Sequence, residues 1–190
     1  MSETHFELRL SDGSLKLRPD GTIMQFKPSA YMAVEHKGKI IFVRDCREHA
    51  RLQFPGGGIN IGMEPPKDAA IRECFEETGV IVSVCVFIGQ FETYESVYLF
   101  RALKWDIVGD FVGQVGEVSE MVSISIKDFL QPEVRSSWRD QFYPAQWKML
   151  GWYLLYKESR KRIIKAKTDI HFPVFELWSS DPWQILDSLQ

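Results

Sequence analysis

The chain has 190 residues, 45% of them hydrophobic, and a formal net charge of −3. That length suits one domain with a substantial core, and the mild negative charge excludes a general basic field that would recruit nucleic acid or an anionic membrane. Cys46, Cys74 and Cys85 are odd in number and lack CxxC spacing, which points away from a disulfide framework or zinc site and toward reduced thiols in the cytoplasm.

From the N-terminus, MSETHFELRL lacks a basic-then-apolar signal pattern, and no later run approaches membrane-spanning length. Within residues 6–27, Phe6, Leu8 and Leu10, then Leu15 and Leu17, alternate with the period of half-buried strands. Ser11-Asp12-Gly13 and Pro19-Asp20-Gly21 supply turns. This strand pair either covers an edge of its own sheet or makes a homodimer contact. Tyr31–His36 and Lys39–Arg44 flank Lys37-Gly38 and read as a hairpin, with KIIFVR apolar enough to lie centrally. Arg44, Arg47, His49 and Arg51 then crowd one side of a glycine turn. Arg44 and Arg51, which border it, are the candidate grips on phosphate or another anionic group; the alternative is a solvated loop.

Phe54-Pro55-Gly56-Gly57-Gly58 combines a stiff turn with backbone that a metal or phosphate can approach closely. A helix follows. Pro65 and Pro66 suit its first turn, Asp68 its positive end, and Gly79 the left-handed position past its last residue. Ala70, Ile71, Cys74, Phe75 and Thr78 recur at helical spacing and are expected to be buried. Glu73, Glu76 and Glu77 then fall at i, i+3 and i+4 as neighbours on the polar surface. Three like charges repel, and Arg72 relieves only part of the repulsion. A hard divalent cation, which prefers carboxylate and carbonyl oxygens, relieves the rest. The plainer alternative is a solvated acidic face.

Beyond the helix, IVSVCVFIGQF and SVYLFRALKW read as two strands joined by a turn over residues 91–95. Residues 106–119 form a glycine-rich acidic loop, and EMVSISIKDFL gives a strand leading into a short helix. A long helix over 144–166 carries Trp147, Leu150, Tyr153 and Leu154 toward the sheet. Its basic run KESRKRIIKAK complements the helix dipole; contact with nucleic acid is the alternative. Trp138, Phe142 and Trp147 are either core or a stacking platform for a base. The apolar tail is expected to dock on the body. The organisation is one domain over 1–190: a strand extension over 1–28, a catalytic core over 29–168 and a tail over 169–190.

GINIGMEPPKDAAIRECFEETGV, from Gly58 to Val80, resembles the Nudix hydrolase family. The family pattern GX5EX7REUXEEXGU, with U aliphatic, is met at every fixed position; Cys74 in the first U slot is a soft departure. A second departure is Met63 between Gly62 and Glu64, which looks like a one-residue insertion and leaves the metal-binding carbonyl to either Gly57 or Gly58.

The resemblance implies an α/β fold, a Nudix-type α/β/α sandwich around a mixed β-sheet, here with an extra N-terminal strand pair. It implies Mg²⁺, or Mn²⁺ in its place, held by Glu73, Glu76, Glu77 and a glycine carbonyl. Glu77, Glu73 or Glu117 would be the catalytic base, with Glu120 the runner-up to Glu117. Arg72 and Glu64 would brace the ligands from outside. The implied reaction is hydrolysis of a nucleoside diphosphate linked to another group, with a small-molecule nucleotide as the partner; the charge balance and the short apolar runs point to neither nucleic acid nor membrane. The N-terminal strand pair is similar to that of sugar-nucleotide hydrolases, many of them dimers. Nucleoside diphosphate sugars therefore rank ahead of nucleoside triphosphates and dinucleoside polyphosphates. A non-catalytic nucleotide-binding module is the competing class, and the complete set of acids argues against it.

Overall fold

The computed structural model describes residues 6–7, 25–26, 28–46, 49–92, 96–108, 118–166 and 181–189. At the N-terminus β1 (Phe6–Glu7) pairs antiparallel with β2 (Gln25–Phe26), Phe6 opposite Phe26. The other expected strand and turn positions of residues 8–24 lie outside the described residues.

β3 (Ser29–Ala33) continues through Val34 into β4 (Glu35–His36), yet the two belong to different sheets. The expected hairpin is therefore shorter than Tyr31–His36. Only Glu35 and His36 pair with β5 (Lys39–Asp45), across a two-residue turn in which Lys37 and Gly38 both have positive φ, 48° and 76°. β6 (Leu52–Gln53) joins β5, whereas β7 (Gly56–Gly58) joins β3, so Phe54 and Pro55 carry the chain from one sheet to the other. α1 (Pro66–Thr78) follows. β8 (Val80–Glu92) and β9 (Ser96–Ile107) form a long antiparallel hairpin whose strands run into the segment read as turn; residues 93–95 lie outside the described set.

β9 pairs parallel with β3, giving one sheet the order β7-β3-β9-β8. β10 (Val118–Ser125) pairs antiparallel with β5, giving the other the order β10-β5-β4. β5 is central, as its apolar run predicts, and Ile40 to Val43 are all buried. α2 (Ile126–Leu130) starts where Ser125 accepts the Lys127 N–H at 3.2 Å. α3 (Pro132–Ser136) and a 3₁₀ turn (Arg139–Gln141) precede α4 (Pro144–Ala166), and α5 (Pro182–Ser188) ends the described chain.

Two cores flank the sheets. On one side Ala30, Met32 and Val34 pack with Ala69, Ala70 and Cys74 of α1. On the other, Phe42, Phe54 and Phe142 meet Met149, Leu150 and Tyr153 of α4. Phe42 has ring centroids of Phe54 and Phe142 at 5.1 and 4.8 Å, the second edge-on, a favoured aromatic geometry. The result is the expected α/β/α sandwich around mixed strands.

α4 buries Leu150, Tyr153 and Leu154 as its spacing predicts, but Met149, Trp152 and Leu155 are buried too. One helical stripe does not hold that set; α5 covers a second side. Gly151 makes the close approach, since a Cβ there would fall 2.7 Å from Pro182 Cγ. Arg135 of α3 clamps α5 with two bonds to Asp187, at 2.9 and 2.6 Å. Lys157, from the basic run, pairs instead with Glu35 at 2.5 Å. Burial pushes the Glu35 carboxyl up, but bonds from Lys157 and Tyr153 outweigh it and hold that carboxyl below its ordinary range. The side chains of 162–166 and the tail residues 167–180 lie outside the described residues. Among the described residues no helix is long and apolar enough to cross a membrane.

Candidate functional site

The site begins with the ends of α1. Pro65 is the extended N-cap and Pro66 the first helical residue. At the other end Gly79 takes φ 70° and donates its N–H to the Phe75 carbonyl at 2.8 Å. Between them the inward positions are Ala69, Ala70, Cys74, Glu77 and Thr78. Phe75, expected inside, is 48% exposed. Glu77, expected on the polar surface beside Glu73 and Glu76, is buried. The reason is a contact between helix and turn: Glu77 Oε2 accepts the Gly56 N–H at 2.7 Å, so a carboxylate here satisfies a backbone donor of the turn. An apolar-only count misses this exchange. The burial that admits Cys74 pushes its thiol up to about 12, leaving a small neutral group packed in the aliphatic slot.

Glycine is needed in the turn for two different contacts. Gly56 has φ 151°, and a Cβ on it would fall 2.3 Å from the Ala30 carbonyl oxygen. Gly57 lies against Glu73, where a Cβ would fall 2.6 Å from Oε2. The turn and the acidic helix thus touch through the absence of side chains.

Arg72 ties the remaining acids together. It forks Glu64 through Nε at 3.1 Å and Nη2 at 2.7 Å, and its Nη1 meets Glu73 at 2.7 Å and Glu76 at 2.9 Å. Nη2 also donates to the Gly58 carbonyl at 3.3 Å. Glu64 further accepts the Asn60 backbone and side-chain N–H groups at 3.1 and 2.8 Å. The hydrogen bonds from Arg72, chiefly, hold the Glu64 carboxyl below its ordinary range, and Glu64 in turn keeps the guanidinium protonated. Met63 is 81% exposed, and the adjacent Glu64 meets both Arg72 and Asn60.

The cation on which Glu73 and Glu76 converge is therefore a guanidinium. Among the described residues no three acidic, cysteine or histidine side chains gather closely enough to hold a metal ion as they stand. The donor chemistry nevertheless fits a hard divalent ion. Glu73 and Glu76 already turn toward one positive centre, Glu73 lies on the Gly57 backbone, and the neighbouring acid is fixed by Gly56. Arg72→Lys keeps the charge but loses the fork. We expect it to weaken Mn²⁺ binding about 10–100-fold, measured by calorimetric titration, and unchanged affinity would remove the bracing role.

Of the other candidates, Arg44 and Arg51 fall among the described residues. Arg44 pairs with Glu120 at 2.9 Å and donates to the Ala50 carbonyl at 3.0 Å, closing its own loop. Arg51 lines a cavity on the α4 side of the sheets. Glu117 lies outside the described residues. Among the described residues Cys46, Cys74 and Cys85 form no disulfide.

A two-layered helical cover over mixed strands, with an acidic helix set against a glycine turn, defines a compact class of proteins. A sequence model of the NUDIX domain matches residues 26–146, and the chain belongs to that family. An RNA pyrophosphohydrolase of Blochmanniella pennsylvanica is 48% identical over 42 residues, which is 22% of this chain and 26% of that relative. The match thus spans about a quarter of the curated relative. Among solved structures, the E. coli ORF135 protein superposes with a TM-score of 0.55 at 19% identity, over 70% of this chain and 91% of its own. An ADP compounds hydrolase superposes with a TM-score of 0.55 at 15% identity, over 83% and 85%. At those identities the two structures establish the fold.

Proposed function

We propose that the chain hydrolyses a phosphoanhydride bond in a nucleoside diphosphate linked to a second group, releasing nucleoside monophosphate and a phosphorylated product. The observation that carries this reading is the contact of Glu73 and Glu77 with successive glycines of one turn. Glu73, Glu76 and Glu77 would hold Mg²⁺ or Mn²⁺. Gly57 would supply the carbonyl, because the Gly58 carbonyl is already taken by Arg72. Bound there, the ion would set positive charge against the diphosphate and lower the pKa of the attacking water.

The chain's own residues do the rest. Gly56 fixes the orientation of Glu77, the proposed proton acceptor, with Glu73 and Glu117 as the alternatives for that role. Arg72 and Glu64 keep Glu73 and Glu76 from drifting apart under their mutual repulsion. Arg44, exchanged from Glu120 to the substrate, would grip a phosphate. Three cysteines without a disulfide suit a cytoplasmic setting.

The substrate we favour is a nucleoside diphosphate sugar, on the strength of the N-terminal strand pair. A 5′-phosphorylated RNA end is the second reading, favoured by the local identity to an RNA pyrophosphohydrolase. The test is a panel of nucleoside diphosphate sugars, nucleoside triphosphates, dinucleoside polyphosphates and 5′-triphosphorylated RNA, each with Mg²⁺ or Mn²⁺ and scored by product identity. Monophosphate release from the sugar nucleotides is expected. Stoichiometric nucleotide binding with no product anywhere on the panel would turn the reading to a binding module.

A further inference from the structure

α3, the 3₁₀ turn, the first turns of α4 and the start of α5 enclose a cavity of about 660 Å³. No residue of α1 or of the glycine turn lines it. It lies with α4, across the sheets from α1. The wall carries Arg51, Arg135, Arg139 and Lys148 against Asp140 and Asp181.

Arg135 and Asp181 are engaged within the fold. Arg135 forks Asp187 and lies 4.8 Å over the Trp183 ring, and Asp181 accepts the Trp183 backbone N–H at 3.0 Å as the cap of α5. Arg51 and Arg139 differ. Both are exposed, and among the described residues neither forms an ion pair. Both line one concavity, so a single anion there could meet two guanidiniums. Their planar forks match phosphate oxygens better than any other side chain. Beside them Trp147 and Trp183 stack with ring centroids 4.5 Å apart, giving the cavity a stiff apolar wall.

We infer that this cavity is a second, non-catalytic binding site for a phosphate-bearing small molecule. Arg51 and Arg139 take the phosphate, and the paired indoles form the wall against which the rest of the ligand packs. The site is built only when α5 is seated, because Asp181 and Trp183 complete it.

The full-length protein, held in EDTA so that the acidic helix has no divalent ion, is titrated with inorganic pyrophosphate and followed by calorimetry. Saturable binding is expected, weakened about tenfold or more by Arg139→Gln and likewise by Arg51→Gln, and retained by Glu77→Gln. The indole N–H resonances of Trp147 and Trp183 should move during the wild-type titration, a readout that needs no variant. Absence of saturation up to about 10 mM overturns the inference. So does binding that survives both arginine changes, or binding that disappears in Glu77→Gln.

Discussion

Glu77→Gln is expected to leave a folded protein that has lost divalent-ion-dependent release of nucleoside monophosphate. Glutamine keeps an oxygen that can accept the Gly56 N–H, now made to Glu77 at 2.7 Å, so the turn stays in place. What it loses is the negative charge and the proton affinity. For a general base alone the loss is about 10²–10⁴ in turnover, and the missing charge at the ion adds to it. Thermal unfolding near the wild-type midpoint, together with progress curves on the best substrate of the panel, would establish the pattern. A mutant that folds and turns over at the wild-type rate would falsify the mechanism.

The glycine turn allows a sharper separation of fold from chemistry. Gly56→Ala and Gly57→Ala add the same methyl group one residue apart, and their consequences should diverge. At Gly56 the methyl would meet the Ala30 carbonyl oxygen at 2.3 Å and Tyr31 Cα at 2.6 Å, both backbone, at a φ of 151°. Neither β3 nor β7 can retreat without breaking their pairing, so the loss of stability should be about 2–4 kcal/mol, read from urea denaturation. At Gly57 the three nearest atoms to the methyl all belong to the end of the Glu73 side chain, the closest at 2.6 Å. That carboxylate can swing aside. Stability should therefore fall by about 1 kcal/mol or less while turnover drops about 100-fold, because Glu73 no longer sits where Gly57 holds it. Equal damage to stability from both changes would mean that Gly57 is packed against backbone and that its contact with Glu73 is incidental.

Much of this was legible in the chain itself, and the reasons are local. Lys37-Gly38 between two apolar runs announces a tight hairpin, and both residues have positive φ. Gly79 announces a helix end because only a residue without Cβ takes that position freely. KIIFVR announces a strand covered on both faces. Other features depend on partners distant in sequence. Val34 gives no sign that the strand divides there, since the division is set by which neighbours each half finds. Glu77 turns inward, where it accepts the N–H of a residue 21 positions away. The second apolar side of α4 was a readable clue: Met149, Trp152 and Leu155 exceed what one contact stripe needs, and α5 is the reason. α3 and the 3₁₀ turn are too short to show a period.

The passage of Phe54 and Pro55 between the sheets carries one more implication. On one flank Met32 donates to the Pro55 carbonyl at 2.8 Å, and on the other Phe54 donates to Gln146 of α4 at 3.1 Å. Close by, Ile41 donates to the Val34 carbonyl at 3.0 Å, where the strand is shared in the same way. The two halves of the sandwich are stitched at adjacent points rather than merely pressed together, and the seam runs beside Gly56. A clamshell opening along that seam would tear bonds next to the turn, so the two sheets should move as one frame.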